Sequence, residues 1–423
     1  MATTLWCRKM TNRVYGLIGR TLGHSYSAPI HRELGNKAYT LYELEPDRLG
    51  AFLLREDLGG LNVTIPYKRD AMAFCDELDE TAREIGSVNT IVRDANGRRI
   101  GYNTDAYGLT YLAHRANLSF TDRKVAIFGS GGASLTAQYV AKKGGARRIV
   151  VISRDGENNY ENLDRHLDAE ILINTTPLGM LPKTGEIPAD PARFPGCKGV
   201  IDLVYNPRRT AFLLRAKELN LPCAGGLSML VAQAKAAEEL FFGGTIADSE
   251  ISRILGLLAR ETQNIVLIGM PGSGKSTIGQ ALSLLTGRRL VDLDEEIVKT
   301  AGCSIPEIFA NSGEAAFRAM EREQAVRWGR ESGLILVTGG GIVKDGRNGQ
   351  SLRQNGRVYE IERDLSLLAR EGRPLSAGAD LTEMQRERAP LYARFRDAKI
   401  QNNASAETAA RAIWEDYCAH SGD

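Results

Sequence analysis

"LIGMPGSGKSTIG", residues 267–279, joins an apolar strand-like run to a glycine-rich loop and the start of a helical pattern. Its middle fits G-x-x-x-x-G-K-S/T, a motif in which backbone N–H groups of the loop surround nucleotide phosphates. The motif requires a strand before the loop and a helix after it, and both patterns are present. The stretch therefore predicts a P-loop α/β domain that binds ATP or GTP. The predicted phosphate contacts are Gly272, Ser273, Gly274, Lys275, Ser276 and Thr277.

Two carboxylates follow the loop, in the segment VDLDEE. Asp292 and Asp294 lie two positions apart at the end of a predicted strand, where side chains at i and i+2 share a face. One of them can hold Mg²⁺ beside the Ser276 hydroxyl, and the other can orient or deprotonate an acceptor hydroxyl. The pair therefore indicates phosphoryl transfer to a small molecule.

Arginines recur through the rest of this C-terminal third. Arg318 lies in GEAAFRAMERE, Arg373 in GRPL and Arg388 in RERAPLY. Guanidinium groups bind carboxylates in a bidentate manner, so three arginines around one small site favour an acceptor that carries a carboxylate. The segment LVTGGGIV contains Gly340 and Gly341, which allow the backbone to approach a small ligand.

The first 243 residues contain a second nucleotide motif. Residues 124–154, KVAIFGSGGASLTAQYVAKKGGARRIVVISR, follow the order strand, glycine-rich turn, helix and strand, which predicts a Rossmann-type dinucleotide site. The second strand ends at Ser153 and Arg154, and an arginine in this place favours the 2′-phosphate of NADP. Asp155 follows directly, so a preference for NAD stays open.

Polar side chains cluster before that motif, where predicted strands end and loops begin, and they suit a ligand rich in hydroxyl groups. They are Ser25, Ser27, Asn62, Thr64, Asn89, Thr90, Asn103 and Thr104. Lys68 and Asp105 lie among them. Reduction of a ketone by hydride needs a proton for the developing alkoxide, which an ammonium can donate while a carboxylate orients it. We expect Lys68 and Asp105 to form this pair.

Strand-like apolar runs alternate with helical stretches, which predicts α/β architecture with mainly parallel sheets. In the N-terminal part of the chain the runs are VYGLIG, GLNVTIP, NTIVRD, KVAIFGSGG, RIVVISR, EILINTTP and GVIDLVY. In the second half they are NIVLIGMPGSG, RLVDLD, LILVTGGG and RVYEIER. A mildly amphipathic stretch between the two series, residues 244–262, predicts a helical linker.

Composition limits the class of protein. A chain of 423 residues exceeds what one hydrophobic core usually serves, so about two to four domains are expected. The net charge of +2 argues against a nucleic-acid or membrane partner that binds by bulk charge. The six cysteines lack metal-ligand spacing and the N-terminus lacks a signal-peptide pattern, which predicts a cytoplasmic protein. The apolar stretch GGLSMLVAQAKAAEELFFGG contains three charged residues, which predicts a buried helix.

The C-terminal part resembles shikimate kinase over about residues 264–418. The resemblance rests on GMPGSGKSTIG, VDLDEEI, IFANSGEAAFRAMERE, TGGGIV, GRPL and RERAPLY, which occur in the family's order. It implies that Asp294 holds the shikimate hydroxyls and acts as the base. The other implied substrate contacts are Arg318, Gly340, Gly341 and Arg388. The implied nucleotide and metal contacts are the P-loop residues, Asp292 beside Mg²⁺, Arg370 beside the adenine and Arg373 from the lid.

The N-terminal part resembles shikimate dehydrogenase over about residues 13–243. Besides the motifs above, LINTTPLGM, VIDLVYNP and GGLSMLVAQA carry the resemblance. It implies that Lys68 and Asp105 are the catalytic pair. The implied substrate contacts are Ser25, Ser27, Asn62, Thr64, Asn89, Tyr205 and Gln233. The implied NADP contacts are Gly129, Ser130, Gly131, Gly132, Ala133, Ser153, Arg154, Thr175, Leu203, Gly226 and Met229.

Together the two resemblances imply a bifunctional enzyme. Its first half would reduce 3-dehydroshikimate to shikimate with NADPH, and its second half would phosphorylate shikimate at the 3-hydroxyl with ATP and Mg²⁺. The predicted domains are a substrate domain (13–105 with 226–243), a Rossmann-like NADP domain (106–225), a helical linker (244–262) and a P-loop kinase domain (263–423). An NAD-linked quinate/shikimate dehydrogenase and a metabolite-binding regulator with lost or partial activity remain alternatives. The oligomeric state stays open.

Overall fold

The protein, in a computed structural model, folds into two compact units. The residues that the structure describes are 13–23, 25–368 and 381–421. Those of the first unit fall within 13–180, 186–206 and 212–255. Those of the second unit fall within 181–185, 207–211 and 256–421. Each unit alternates strands with helices, so the predicted α/β class is confirmed.

Unit 1 begins with a six-stranded sheet. Its strands are β1 (Val14–Gly19), β2 (Tyr39–Glu43), β3 (Leu58–Val63), β4 (Glu77–Leu78), β5 (Thr90–Arg93) and β6 (Arg99–Tyr102). Their order across the sheet is β2-β1-β3-β5-β6-β4. Three of the five pairings are parallel, but β5 runs antiparallel to β3 and to β6. The connection from β5 to β6 spans only residues 94–98, which is too short for the crossover that a parallel pair requires.

Four helices accompany this sheet. They are α1 (Ser27–Glu33), α2 (Leu49–Leu53), α3 (Glu80–Ile85) and α4 (Asp105–Arg115). Capping residues define both ends of α3. The Asp79 carboxylate accepts hydrogen bonds from the first-turn amides, and Gly86 ends the helix in the left-handed conformation. The first residue of α4 is Asp105, one of the two predicted catalytic residues.

The second sheet of unit 1 is fully parallel. Its strands are β7 (Lys124–Phe128), β8 (Arg148–Ile152), β9 (Ile171–Asn174), β10 (Gly199–Asp202) and β11 (Cys223–Gly225). Their order is β11-β10-β9-β7-β8. The following helices are α5 (Gly132–Lys143), α6 (Ala211–Glu218) and α7 (Leu227–Phe242). Every residue of β7 is buried, because helices cover both faces of a parallel sheet.

Helix α7 packs closely against α4. A Cβ atom on Gly108 of α4 would lie 2.6 Å from the carbonyl oxygen of Met229 in α7, so only glycine allows this approach. The prediction that this apolar stretch forms a buried helix is confirmed, since even Lys235 and Glu238 are buried in it. The crossing brings the start of α4 beside the middle of α7, where Gln233 lies.

Helix α8 (Ser249–Thr262) precedes the P-loop, and the division between the units falls inside it, after Leu255. Unit 2 contains β12 (Asn264–Ile268), β13 (Leu290–Asp292), β14 (Ile335–Val337), β15 (Gly356–Glu362) and β16 (Ala398–Gln401). They form a parallel sheet in the order β13-β14-β12-β15-β16. Its helices are α9 (Lys275–Thr286), α10 (Leu293–Ala301), α11 (Ile305–Gly329), α12 (Gly346–Asn355), α13 (Leu381–Phe395) and α14 (Ala406–Ala419).

The central strand β12 shows how this sheet is buried. Ile265 and Leu267 point to a core shared with α9 and α14, and Val266 and Ile268 point to a core shared with α11, α12 and α13. This alternation is the period of two that a strand imposes. The P-loop therefore begins at the carboxyl end of a fully buried strand.

Within the described ranges, no helix has the length and apolar character needed to cross a membrane. The five cysteines in those ranges are free thiols. The predicted domain limits, the linker role of residues 244–262 and the cytoplasmic location stay predictions.

Candidate active sites

The predicted catalytic pair of unit 1 is in direct contact. Lys68 lies in the loop after β3, and its Nζ atom is 2.5 Å from Oδ2 of Asp105 at the start of α4. The two side chains are 20% and 13% exposed, so the ion pair is largely shielded from water but remains reachable by a ligand. The Lys68 backbone carbonyl accepts a hydrogen bond from the Val88 amide, which holds the loop in place. The pair can therefore deliver a proton from Nζ while the carboxylate orients the ammonium.

The glycine-rich turn after β7 lies next to this pair. A Cβ atom on Gly132, the first residue of α5, would be 4.0 Å from Cδ of Lys68. Gly129 has a φ of 110°, and a Cβ there would lie 2.6 Å from Oγ1 of Thr175, so the position requires glycine. Among the described residues, none lies within 4 Å of the Cβ position of Gly131. The turn thus has room at the start of α5, and a helix N-terminus of this kind suits a pyrophosphate.

The remaining predicted dinucleotide contacts follow the carboxyl ends of strands in the second sheet. Ser153 and an exposed Arg154 follow β8, and Leu203 follows β10. Gly226 approaches so closely that a Cβ atom would lie 2.2 Å from the Leu203 carbonyl oxygen. Met229 is buried in the first turn of α7. Ser130 and Ala133 belong to the turn itself. The structure thus brings these residues to one edge of the sheet, where α/β proteins bind nucleotides.

Three predicted substrate contacts belong to one buried hydrogen-bonded network. The Asn89 side chain donates to Oγ1 of Thr104 at 3.0 Å and to Oε1 of Gln233 at 3.5 Å. Its Oδ1 accepts from the Thr104 amide at 2.7 Å. The Asn62 side chain donates to Oγ1 of Thr90 at 3.0 Å and to the Asn89 carbonyl oxygen at 3.4 Å. The Asn62 side chain donates its amide hydrogens inside the network. Asn62 is therefore placed to hold Asn89 and Thr90 in position.

The other predicted substrate contacts of unit 1 lie near the ends of β1 and β10. The Ser27 amide donates to Oγ of Ser25 at 3.2 Å. Thr64 is half-buried, and its amide donates to the carbonyl oxygen at the end of β1 at 2.9 Å. The ring of Tyr205 lies 5.8 Å from that of Tyr26, and burial raises the pKa of the Tyr205 hydroxyl, which therefore stays available as a donor.

The P-loop of unit 2 has the backbone that its motif predicts. Gly269 has a φ of 145°, and a Cβ there would lie 2.4 Å from the Ile361 carbonyl oxygen. Gly274 has a φ of 90° and caps α9. The Lys275 ammonium donates to the carbonyl oxygens of Gly269 and Met270, both at 2.9 Å. The lysine therefore lies across its own loop, within the space that phosphates occupy in this motif.

A hydroxyl and a carboxylate meet beside the loop. Oγ of Ser276 donates to Oδ2 of Asp292 at 3.1 Å. Both are hard oxygen donors of the kind that Mg²⁺ prefers, so this pair fits the predicted metal position. The strand β13 ends at Asp292, whose Oδ1 accepts from the Asp294 amide at 3.0 Å and caps α10. Asp294 therefore lies in a helix and not on the predicted strand face, because the cap at Asp292 ends the strand.

Asp294 and two arginines surround the segment 339–341. A Cβ on Gly339 would lie 2.7 Å from Oδ1 of Asp294. The Arg318 guanidinium lies against Gly341 and donates to Oε2 of Glu321 at 2.9 Å. Arg388 on α13 donates to the Gly340 carbonyl oxygen at 3.0 Å. Burial raises the pKa of Glu321. The predicted acceptor contacts Asp294, Arg318 and Arg388 are thus brought together around the segment 339–341.

Replacement of Gly341 by alanine tests this packing. Gly341 has a φ of −97°, which alanine adopts without strain, but its Cβ would lie 2.6 Å from both Nη atoms of Arg318. We expect Gly341→Ala to displace the guanidinium and to raise the KM for shikimate by about ten-fold or more, with the KM for ATP unchanged. Steady-state kinase kinetics measure both. Gly346→Ala is the matched control, since none of the residues that the structure describes lies within 4 Å of that Cβ position. An unchanged KM for shikimate would contradict the placement of Arg318.

Arg370 and Arg373, the predicted lid residues, lie outside the described residues. Their contacts with the adenine and with the transferred phosphoryl group stay predictions.

Some residues beside the sites were not predicted. The Asn402 side chain donates to the Ser273 carbonyl oxygen at 2.7 Å and so supports the P-loop from β16. The Tyr392 hydroxyl donates to the Gly340 carbonyl oxygen at 2.6 Å, and burial raises its pKa to about 12. Tyr392 lies one turn after Arg388, so helical spacing could have indicated it. No local pattern marks Asn402.

Comparison with known proteins matches two parts of the chain to two families. Residues 271–417 match the family model described as shikimate kinase, and residues 17–91 match that of the shikimate dehydrogenase substrate binding domain. A "Shikimate dehydrogenase (NADP(+))" of Clostridium beijerinckii is 37% identical over 246 residues, which cover 54% of this chain and 91% of the relative.

Solved structures show the same similarity. A chorismate mutase/shikimate 5-dehydrogenase fusion protein from Clostridium acetobutylicum matches with a TM-score of 0.56 and 34% identity over 59% of this chain and 98% of that chain. A quinate dehydrogenase from Corynebacterium glutamicum, solved in complex with NAD, matches with a TM-score of 0.52 and 25% identity over 57% of this chain and 97% of its own.

Proposed function

The chain belongs to the shikimate dehydrogenase family and carries a shikimate kinase domain after it, and from this premise we propose that it catalyses two successive reactions. Unit 1 reduces 3-dehydroshikimate to shikimate with NADPH. Unit 2 transfers the γ-phosphoryl group of ATP to the 3-hydroxyl of shikimate with Mg²⁺. The product of the first site is the substrate of the second.

One observation carries the proposal. In unit 1, the ion pair between Lys68 and Asp105 lies beside the glycine turn at Gly132. In unit 2, Asp294 lies beside the glycine segment that follows β14, with Arg318 against the same segment. In each unit, a group that can donate or accept a proton therefore lies near polar groups that suit a small hydroxylated acid. In unit 1 this group is also close to the dinucleotide turn, and in unit 2 Gly340 of the same segment packs against Pro271 of the P-loop.

In the dehydrogenase site, NADPH supplies the hydride when it is bound. Lys68 donates a proton from Nζ to the carbonyl oxygen as charge develops on it, and Asp105 keeps the ammonium oriented. Ser25 and Ser27 hold the substrate carboxylate, and the buried network around Asn89 holds the ring hydroxyls. In the oxidative direction Lys68 accepts the proton from the same hydroxyl.

In the kinase site, the bound Mg²⁺ neutralises charge on the phosphates. Asp294 orients the acceptor hydroxyl and takes its proton, while Lys275 leaves its loop carbonyls and stabilises the phosphates. Arg318 and Arg388 hold the carboxylate and ring of shikimate. The Ser276 hydroxyl and the Asp292 carboxylate are the residues that hold the metal.

Arg154 decides between the two nicotinamide cofactors in this proposal. It is exposed after β8, where it can pair with the 2′-phosphate of NADPH. We expect Arg154→Gln to lower kcat/KM for NADPH by about ten-fold or more and to leave the value for NADH unchanged. Asp155→Asn is the neighbouring control. An enzyme that prefers NADH before any change would instead support the NAD-linked quinate/shikimate dehydrogenase, a class represented among the similar structures.

Two separate assays test the proposal. NADPH oxidation with 3-dehydroshikimate reports unit 1, and ADP formation with shikimate and Mg-ATP reports unit 2. Turnover in both supports two active sites. Binding of shikimate without turnover in either assay would favour the metabolite-binding regulator and would overturn the proposal.

A further inference from the structure

A fully buried histidine–glutamate pair lies outside the catalytic groups of unit 1. Nδ1 of His31 on α1 is hydrogen-bonded to Oε1 of Glu238 on α7, and both side chains have no exposed surface. The Asn36 side chain donates to the same carboxylate oxygen at 3.0 Å. Burying a carboxylate is costly unless it is paired, so this contact fixes α1 against α7 in one arrangement.

The pair is linked to the substrate network by an aromatic stack. The His31 ring lies 3.7 Å from the Tyr39 ring at an angle of 6° between their planes. The Tyr39 hydroxyl donates to Oδ1 of Asn62 at 2.7 Å. Burial, together with the Glu238 carboxylate, raises the pKa of Tyr39 well above its ordinary value, so its hydroxyl keeps the donor role. The orientation of the Asn62 amide is therefore set by Tyr39.

These contacts close into a ring that begins and ends on α7. From Glu238 it passes through His31, Tyr39 and Asn62 to Asn89, and Asn89 donates to Gln233 on the same helix. The ring crosses α1, β2 and β3 and includes Asn89, the residue before β5. Every member is buried. A closed ring of this kind gives each amide one orientation, since a flipped amide would lose two bonds at once.

We propose that His31 and Glu238 are positioning residues for shikimate in the dehydrogenase site, which they influence through Tyr39 and Asn62. Ser27, a carboxylate contact in the proposed function, is the first residue of α1, and His31 lies one turn later on that helix. By joining α1 to α7, the pair thus holds Ser27 on α1 and Gln233 on α7 at a fixed separation. Neither residue touches the substrate. The inference rests on the proposed dehydrogenase activity of unit 1.

Tyr39→Phe tests the link with the smallest change, because it removes one hydroxyl and keeps the stack on His31. We expect the KM for shikimate to rise about ten-fold, because Asn62 loses its orienting donor, while the KM for NADP⁺ stays unchanged. Tyr15→Phe is the matched control. Tyr15 is also buried in the apolar cluster with Tyr39 and Phe241, and no hydrogen bond of its hydroxyl is found in the part of the chain that the structure describes.

A pair of variants at Glu238 tests the buried contact itself. Glu238→Gln keeps an acceptor for His31 and should retain most of the affinity for shikimate. Glu238→Leu removes the acceptor and should raise the KM for shikimate more than Tyr39→Phe does. Kinase activity of the same chain, together with the melting temperature, shows whether each variant is folded.

The outcomes separate this inference from the proposed function. Wild-type protein without dehydrogenase activity would remove the proposed function. Active wild-type protein whose Tyr39→Phe variant keeps the KM for shikimate would overturn the positioning role alone. Equal rises in the KM for shikimate and for NADP⁺ would also overturn it, because a general loss of structure, and not positioning of one substrate, produces that pattern.

Discussion

Lys68→Met is expected to abolish most of the dehydrogenase activity while the kinase activity of the same chain persists. The methionine keeps the length of the side chain but removes the ammonium that lies 2.5 Å from Asp105. Without it, no group at this place donates a proton to the developing alkoxide, and general-acid contributions of this kind are about 10²- to 10⁴-fold. We therefore expect kcat for NADPH-dependent reduction to fall by about 10³-fold.

The control for this variant is another lysine of unit 1. Lys143 pairs with Glu84 at 3.0 Å on the surface of α5, where half of its side chain is exposed. Lys143→Met should leave both activities at the wild-type level, since exposed ion pairs contribute little. If the Lys68→Met enzyme retains more than a tenth of the wild-type kcat, Lys68 is not the proton donor.

Lys275→Met is expected to have the second large effect, confined to unit 2. The Lys275 ammonium donates to two carbonyl oxygens of the P-loop and is buried there. In the proposed reaction it turns to the transferred phosphates, whose charge it stabilises. Removal of one such preorganised donor costs about 10²- to 10³-fold, and we expect this loss in kcat for shikimate phosphorylation.

Lys299→Met is the matched control, because the Lys299 side chain is 65% exposed where it pairs with Glu296 on α10. Dehydrogenase activity should be unchanged in both variants. Phosphorylation at a normal rate by Lys275→Met would show that the P-loop does not serve the acceptor reaction as proposed.

The central strands could be predicted from the sequence because their apolar runs are long enough to be recognised alone. All eleven runs named at the outset contain strands of the structure. Strands β2, β4, β6, β11 and β16 were not predicted, and all of them except β6 lie at the edges of their sheets. Edge strands have one solvated side, so YTLYE and AKIQ mix polar and apolar residues and show no buried run.

The candidate sites could be predicted where a sequence motif specifies both the residue types and their spacing. The P-loop, the glycine turn after β7 and the contact of Lys68 with Asp105 are of this kind. Contacts between distant segments were not predictable in the same way. The pair of His31 and Glu238 joins residues 207 positions apart, and neither residue shows a local pattern that marks its partner.

The most direct test of the account is one incubation of the purified chain with 3-dehydroshikimate, NADPH and Mg-ATP, followed over time by mass spectrometry. We expect shikimate to appear first and shikimate 3-phosphate to accumulate after it, from this single protein. Accumulation of shikimate without phosphorylation would contradict the kinase half. Absence of both products, with active reference enzymes added as a check of the substrates, would contradict the whole account.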